Sequence, residues 1–222
     1  GPSWASAAVG PLAWYKFFAS EGGMRVPLVI GGKVNGQPLI ANTGAVSQSF
    51  AWITDIAPTV LQLAGAVDLP SDMVGKSLIP VLQDERASVR LADEIIGYEL
   101  GGNKALFQGD YKLVYNRFRG QEPQWQLFNI SADPGETQNL ASAKPQLFIE
   151  LKAAYVLWAK QNGVVEVRPD YDQGQVMLGK VFANRPILLV YLVGGLLGVF
   201  TLFVIIPWVL VRRFRKRIKS IK

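Results

Sequence analysis

The 222-residue chain contains neither cysteine nor histidine. It therefore has no thiolate nucleophile, no imidazole base and none of the commonest zinc ligands, and a complete active site must draw essential groups from elsewhere. What remains for chemistry is 23 Lys and Arg and 17 Asp and Glu. The acidic residues do not gather: Asp68, Asp72, Asp84, Glu85 and those between positions 93 and 99 are scattered among loops, and none is assigned to a metal. Glu21 precedes Gly22 and Gly23. A carboxylate there is suited to accept backbone amides and position a turn. Arg25 and Asp55 also read as architectural, and the ordinary account of Lys16 is a surface lysine paired with Glu21.

Charge is distributed unevenly along the chain. The net +6 is a property of the C-terminal tail, where Arg212, Arg213, Arg215, Lys216, Arg217, Lys219 and Lys222 occur with no acidic residue. Setting those seven aside leaves 16 basic against 17 acidic residues, a formal charge of −1. Such a block reads as topogenic and attracted to anionic lipid, not as a nucleic-acid surface. Before it, Pro186 to Val211 carries no charged side chain. Roughly 20 apolar residues suffice to cross a bilayer, so this run is expected to form one membrane-spanning helix. Tyr191 and Trp208 lie near its ends at headgroup level, and Pro207 should loosen the helix just before the boundary. The positive-inside rule keeps residues 212–222 cytoplasmic and places the remainder on the other side. Gly194 and Gly198 have the spacing of a helix-pairing motif, or are ordinary glycines of a spanning helix.

The elements before the anchor are read from turn residues and periodicity. Val26–Ile30, between glycine pairs, is expected to be a short buried strand. A Gly/Asn/Gln-rich loop follows, and then a helix from Asp55 to Ala64, with Asp55 capping it, Pro58 in its first turn and Gly65 stopping it. Residues 66–90 read as mostly loop, with Gly75 to Leu78 leading into a short apolar turn. Antiparallel strands are expected at Ile95–Leu100, Lys104–Gln108, Tyr111–Tyr115 and Trp125–Phe128, with Gly109-Asp110 as a hairpin turn. Pro145 starts a helix that ends at Gly163 and buries Leu147, Phe148, Leu151, Tyr155 and Trp158. Residues 164–185 read as a connector.

Several of these segments together resemble the sulfatase family of the alkaline-phosphatase-like superfamily. The similarity lies in Lys16, Glu21, Gly22, Gly23, Arg25 and Pro27; in Asp55, Pro58, Thr59 and Gly65; in Gly75, Ser77 and Leu78; in Gly109 to Leu113; and in Gln126 to Asn129 with Asp133 to Glu136, Asn139 and Leu140. The opening residues and Tyr15-Lys16 are most similar to bacterial arylsulfatases. The resemblance covers about residues 1–163 and implies an α/β fold. Residues 1–90 would be the C-terminal part of the main α/β domain and residues 91–163 an antiparallel subdomain. The connector (164–185), transmembrane helix (186–211) and basic cytoplasmic tail (212–222) follow.

The resemblance also implies a mechanism. A formylglycine hydrate, made from cysteine or serine, attacks sulfur beside a divalent cation, calcium, while lysine and histidine side chains hold the sulfate oxygens. Lys16 stands where the family's sulfate-binding lysine does, so it is the one catalytic, substrate-binding residue carried over. Formylglycine and metal ligands are expected in a missing N-terminal region, and this chain alone is expected to bind no cofactor and to be inactive. The main reading is thus the C-terminal part of a sulfuric ester hydrolase, an arylsulfatase, anchored by one span in a bacterial inner membrane with its main domain periplasmic. Its partners would be a sulfate ester, the missing region and the lipid bilayer, with no nucleic acid. A phosphate or phosphonate ester hydrolase of the same superfamily and a noncatalytic tethered binding module remain the alternatives. Because residues 1–65 would belong to a larger sheet, the isolated chain should expose apolar surface.

Overall fold

The computed structural model describes residues 2–118, 121–184, 186–209 and 211–212. The chain divides into two compact units, Gly1–Val167 and Arg168–Lys222.

The first unit is organised by an antiparallel sheet whose four strands follow chain order, β3 (Ile96–Leu100), β4 (Asn103–Gln108), β5 (Tyr111–Tyr115) and β6 (Trp125–Asn129). Two-residue turns set the register, pairing Leu100 with Asn103 and Gln108 with Tyr111. Gly101 and Gly102 both take positive φ in the first turn and Gly109 does so in the second, which matches the twist a tight hairpin requires. The register sends alternate side chains to two cores. On one face Leu106, Leu113 and Leu127 pack against Leu151 and Tyr155 of the helix α5 (Pro145–Gln161). On the other, Ala105, Phe107, Val114 and Phe128 close over Ala19, with Met24, Phe50 and Trp52 at the margin. Leu106, Leu113 and Leu127 are wholly buried, each contributing about 1.5–3 kcal/mol. Gly97 of β3 is obligatory for packing: a Cβ there would overlap the Trp158 indole at 2.1 Å.

The N-terminal stretch has little regular structure. The helix α1 (Pro2–Ala8), the single turn α2 (Glu21–Met24) and the strand pair β1 (Lys33–Val34) and β2 (Gln37–Pro38) precede the helices α3 (Ile56–Leu63) and α4 (Ile79–Gln83). The β1–β2 hairpin falls where a loop was expected, and turns on Asn35-Gly36, both at positive φ. The strand expected at Val26–Ile30 does not form: no strand lies there, and Val26, Leu28 and Val29 are 76%, 51% and 92% exposed. An extended apolar run becomes a strand only when neighbours take up its N–H and C=O groups, and among the described residues none does.

In the second unit, the helix α6 (Gln173–Asn184) occupies much of the expected connector. It is followed by α7 (Pro186–Phe200), whose helix continues through a wider five-residue turn at Thr201–Ile205. Within it, Val190–Val209 is 20 residues long with mean hydropathy 2.3 and none of it buried. At 1.5 Å per residue that is about 30 Å, so this is one helix long and apolar enough to cross a membrane. The widened turn ends two residues before Pro207, which has no N–H to give to the preceding turn. The Arg212 guanidinium lies 5.1 Å from the Trp208 ring centre. The rest of the basic tail lies outside the described residues.

Candidate functional site

Lys16 sits on the loop between α1 and α2, exposed to solvent, with its Nζ 5.1 Å from the Phe17 ring centre. Among the described residues no carboxylate comes within ion-pair distance of it, and the pairing with Glu21 is absent because Glu21 faces elsewhere. The loop is under backbone strain. Trp14 and Phe17, on either side of Lys16, have φ of 61° and 88°, a region that costs a bulky residue about 1–3 kcal/mol and persists only where the surroundings over-determine it.

Those surroundings come largely from the sheet. The side chain of Asn116, at the end of β5, accepts from Ala19 N–H (2.7 Å) and donates to Ser20 Oγ (2.8 Å). Asn103, at the start of β4, donates to the Phe17 carbonyl (2.9 Å) and accepts from Arg117 N–H (2.7 Å). Trp14 and Phe18 pack on Phe118, with ring centres 4.3 and 5.2 Å away. Gly22 and Gly23 complete the clamp by close approach: a Cβ would lie 2.2 Å from the Trp14 carbonyl at the first and 2.1 Å from the Phe18 carbonyl at the second.

Glu21 ties α2 to the interior of the sheet. Lys112 of β5 is wholly buried, and its ammonium lies 2.8 Å from Glu21 Oε1 and 3.0 Å from Glu136 Oε1. Glu136 Oε2 also accepts the Glu21 backbone N–H at 3.0 Å. Phe107 and Phe128 flank Lys112 across the ladder, and the Phe107 ring centre is 5.0 Å from its Nζ. The Glu21 carboxylate therefore serves a buried lysine instead of accepting turn amides. The signal for this was present in the sequence: in Tyr111–Tyr115 the inward parity of Val114 also carries Lys112, and a charge on a core face must be paired.

A second network fixes α3 and the strand edge. Asp55 is fully buried, but no side-chain bond caps α3. Its carboxylate instead accepts from Trp52 N–H (2.7 Å), Lys76 N–H (2.8 Å) and the Arg90 guanidinium. Arg90 also reaches Glu94 at 2.7 Å, and Glu94 is 2.5 Å from Lys76 Nζ. Burial pulls the Arg90 pKa down, but bonds to Asp55 and Glu94 more than offset it and hold the guanidinium above its usual value. For Glu94, burial acts to raise the pKa, while the bonds from Lys76, Arg90 and the Leu91 amide prevail and lower it.

Among the described residues no group of three or more acidic side chains is placed to hold a metal ion. The buried carboxylates Glu21, Glu136 and Asp55 are each turned to a lysine or arginine. What the loop offers is the Lys16 ammonium, exposed and able to meet an anion.

The family model for the C-terminal region of N-sulphoglucosamine sulphohydrolase matches residues 10–161. The chain belongs to this sulfatase C-terminal family, and the sheet with α5 is the small antiparallel subdomain of such a fold. It is 30% identical over 187 residues to an uncharacterized sulfatase of Schizosaccharomyces pombe, a match that covers 81% of this chain and 33% of the relative. It is 32% identical to an N-acetylglucosamine-6-O-sulfatase of Bacteroides thetaiotaomicron, covering 60% and 24%. A solved structure of a protein with its substrate D-glucosamine-2-N,6-O-disulfate superposes with a TM-score of 0.44 at 26% identity, over 62% of this chain and 28% of that one. The chain thus spans about a third or less of the length of these relatives.

Proposed function

We propose that the chain is the C-terminal, membrane-anchored part of a sulfuric ester hydrolase, an arylsulfatase, and that Lys16 binds the sulfate group. The observation that carries this reading is the presentation of Lys16: exposed, without a carboxylate partner, between two residues of strained backbone that two buried asparagines hold in place. Strain maintained by so many bonds around an unpaired cation fits a loop built to position that cation. An ammonium fixed before substrate arrives needs no reorganisation when negative charge grows on the sulfate oxygens. The role of Glu21, Lys112, Asn103 and Asn116 is to hold the loop. In this proposal a separate polypeptide region supplies the formylglycine nucleophile and its divalent cation, which provide the attack on sulfur.

Hydrolysis of an aryl sulfate by the chain alone and by the chain joined to that region tests the reading. Turnover is expected only in the joined form, where Lys16→Ala should lower kcat/KM by roughly 10²–10³-fold. Turnover by the isolated chain, or an indifferent Lys16→Ala, overturns it. The apolar helix supports a tether that holds the sulfatase portion outside the cytoplasm, in a bacterium on the periplasmic face of the inner membrane. A C-terminal tag should then be protected from protease in intact cells; a digested tag would reverse the topology.

A further inference from the structure

Lys104 follows Asn103 in β4 and pairs across the ladder with Tyr115, which Asn116 follows in β5. The two asparagines that hold the Lys16 loop are thus the chain neighbours of one cross-strand pair, and a shift of that pair moves both. The Lys104 side chain is only 12% exposed, with its Nζ 5.3 Å from the Tyr115 ring centre and 5.9 Å from that of Tyr155. An ammonium so enclosed needs a counter-charge. Among the described residues, the carboxylate within ion-pair distance of it belongs neither to the sheet nor to α5. It is that of Glu166, both of whose oxygens lie 2.6 Å from Nζ. Residues 164–167 reach this point by a definite route. Gly163, at φ 66°, turns the chain out of α5, and the Val164 N–H bonds back to the Ala159 carbonyl at 2.9 Å. Val167 then seats against the β3–β4 turn, where a Cβ on Gly102 would lie 2.5 Å from its Cγ2. The first residues of the expected connector therefore close over the turn from which Asn103 departs.

We propose that Glu166 is a positioning residue for the substrate loop: by neutralising Lys104 it fixes the end of the sheet that holds Lys16. The inference rests on the reading of Lys16 as the sulfate-binding residue. Without the Glu166 charge, the Lys104 ammonium turns out toward water and draws the start of β4 and its partner Tyr115 with it. Asn103 then loses its alignment on the Phe17 carbonyl, and Asn116 its alignment on the Ala19 N–H. Lys16 meets sulfate from a looser loop, which weakens binding. Glu166 itself is 69% exposed, so its charge contributes little to global stability, and its loss separates positioning from folding.

Steady-state kinetics on an aryl sulfate, with the full chain joined to the upstream region, test this. Glu166→Gln should raise KM roughly threefold to tenfold while changing kcat by less than about twofold and leaving the denaturation midpoint in place. Adding Lys104→Met to Glu166→Gln removes the stranded cation and should return KM most of the way to the wild-type value. Glu150→Gln, which neutralises an exposed carboxylate of α5 bonded to Gln146, should leave KM unchanged. In a Lys16→Ala background Glu166→Gln should have no further effect on KM, because it acts through Lys16. The positioning role is overturned, with the Lys16 reading left standing, by any of four results: an indifferent Glu166→Gln, an equal rise in Glu150→Gln, no recovery in the double variant, or a further rise in the Lys16→Ala background. An indifferent Lys16→Ala overturns the Lys16 reading itself, and the role of Glu166 with it.

Discussion

The two parts of the sulfatase unit are stabilised in different ways. From β3 through α5 most contacts are made within the segment: neighbouring strands satisfy one another, one helix covers a face, and the large apolar residues Leu106, Leu113, Leu127 and Leu151 are buried. The stretch from α1 to α4 has its order imposed at a few points. Asn103 and Asn116 hold the loop, Lys112 holds Glu21, and Arg90 holds Asp55, while Val26, Val29, Ile53 and Val60 stay exposed. The residue proposed to meet substrate is in the second part, and the residues that fix it are in the first. The contrast teaches that the small sheet is a clamp for a loop it does not contain.

The strongest way to break this arrangement is Lys112→Met. It leaves Glu21 and Glu136 buried without their cation and should cost about 3–5 kcal/mol in chemical denaturation. Adding Glu21→Gln should recover part of that loss, and strict additivity would mean that the pair is not coupled. Next, Leu113→Ala should cost about 2–5 kcal/mol, because it opens a cavity between the sheet and α5. Val29→Ala, on the exposed run, should stay within about 0.5 kcal/mol. Equal losses at the two sites would erase the distinction between the parts. Asn116→Ala should be milder in stability, about 1–3 kcal/mol for a buried amide and its stranded partners. In the joined enzyme, however, it should raise KM for sulfate esters through the loosened Lys16 loop, while Leu113→Ala should not.

The same contrast governs what the sequence made legible. Strands β3 to β6 and helix α5 were readable nearly to the residue, because glycine turns, alternation and a 3.6-residue stripe are local signals that the local contacts obey. Lys104 and Asn103 differ as the start of β4 only because the Gly101-Gly102 turn is as tight as a hairpin permits. At Val26–Ile30 the signal was equally strong, but a strand is a relation between segments, and among the described residues none pairs with it. The partners of Glu21 and Asp55, both read as architectural, were not foreseen for a related reason. Residue type indicated a carboxylate that accepts hydrogen bonds, while the partners Lys112 and Arg90 are 91 and 35 positions away. Lys16 was singled out by family resemblance; its strained, unpaired setting became visible only in three dimensions.

A smaller, pH-dependent effect concerns the network around Glu94. Glu94 has its pKa held below the ordinary carboxylate value in the folded protein, where it bonds to Lys76 and Arg90. A depressed folded pKa means that the unfolded chain binds the proton more readily. The stabilisation is therefore fully present above the unfolded value and is lost as pH falls through the folded one. Denaturation midpoints of the wild type should thus decline on acidification more steeply than those of Glu94→Gln, which has no carboxylate to protonate at that position. The difference should be on the order of 1 kcal/mol or less, since Lys76 is half open to solvent and screens poorly buried charge only in part. Parallel acid profiles would mean that Glu94 contributes nothing through its bonds to Lys76 and Arg90.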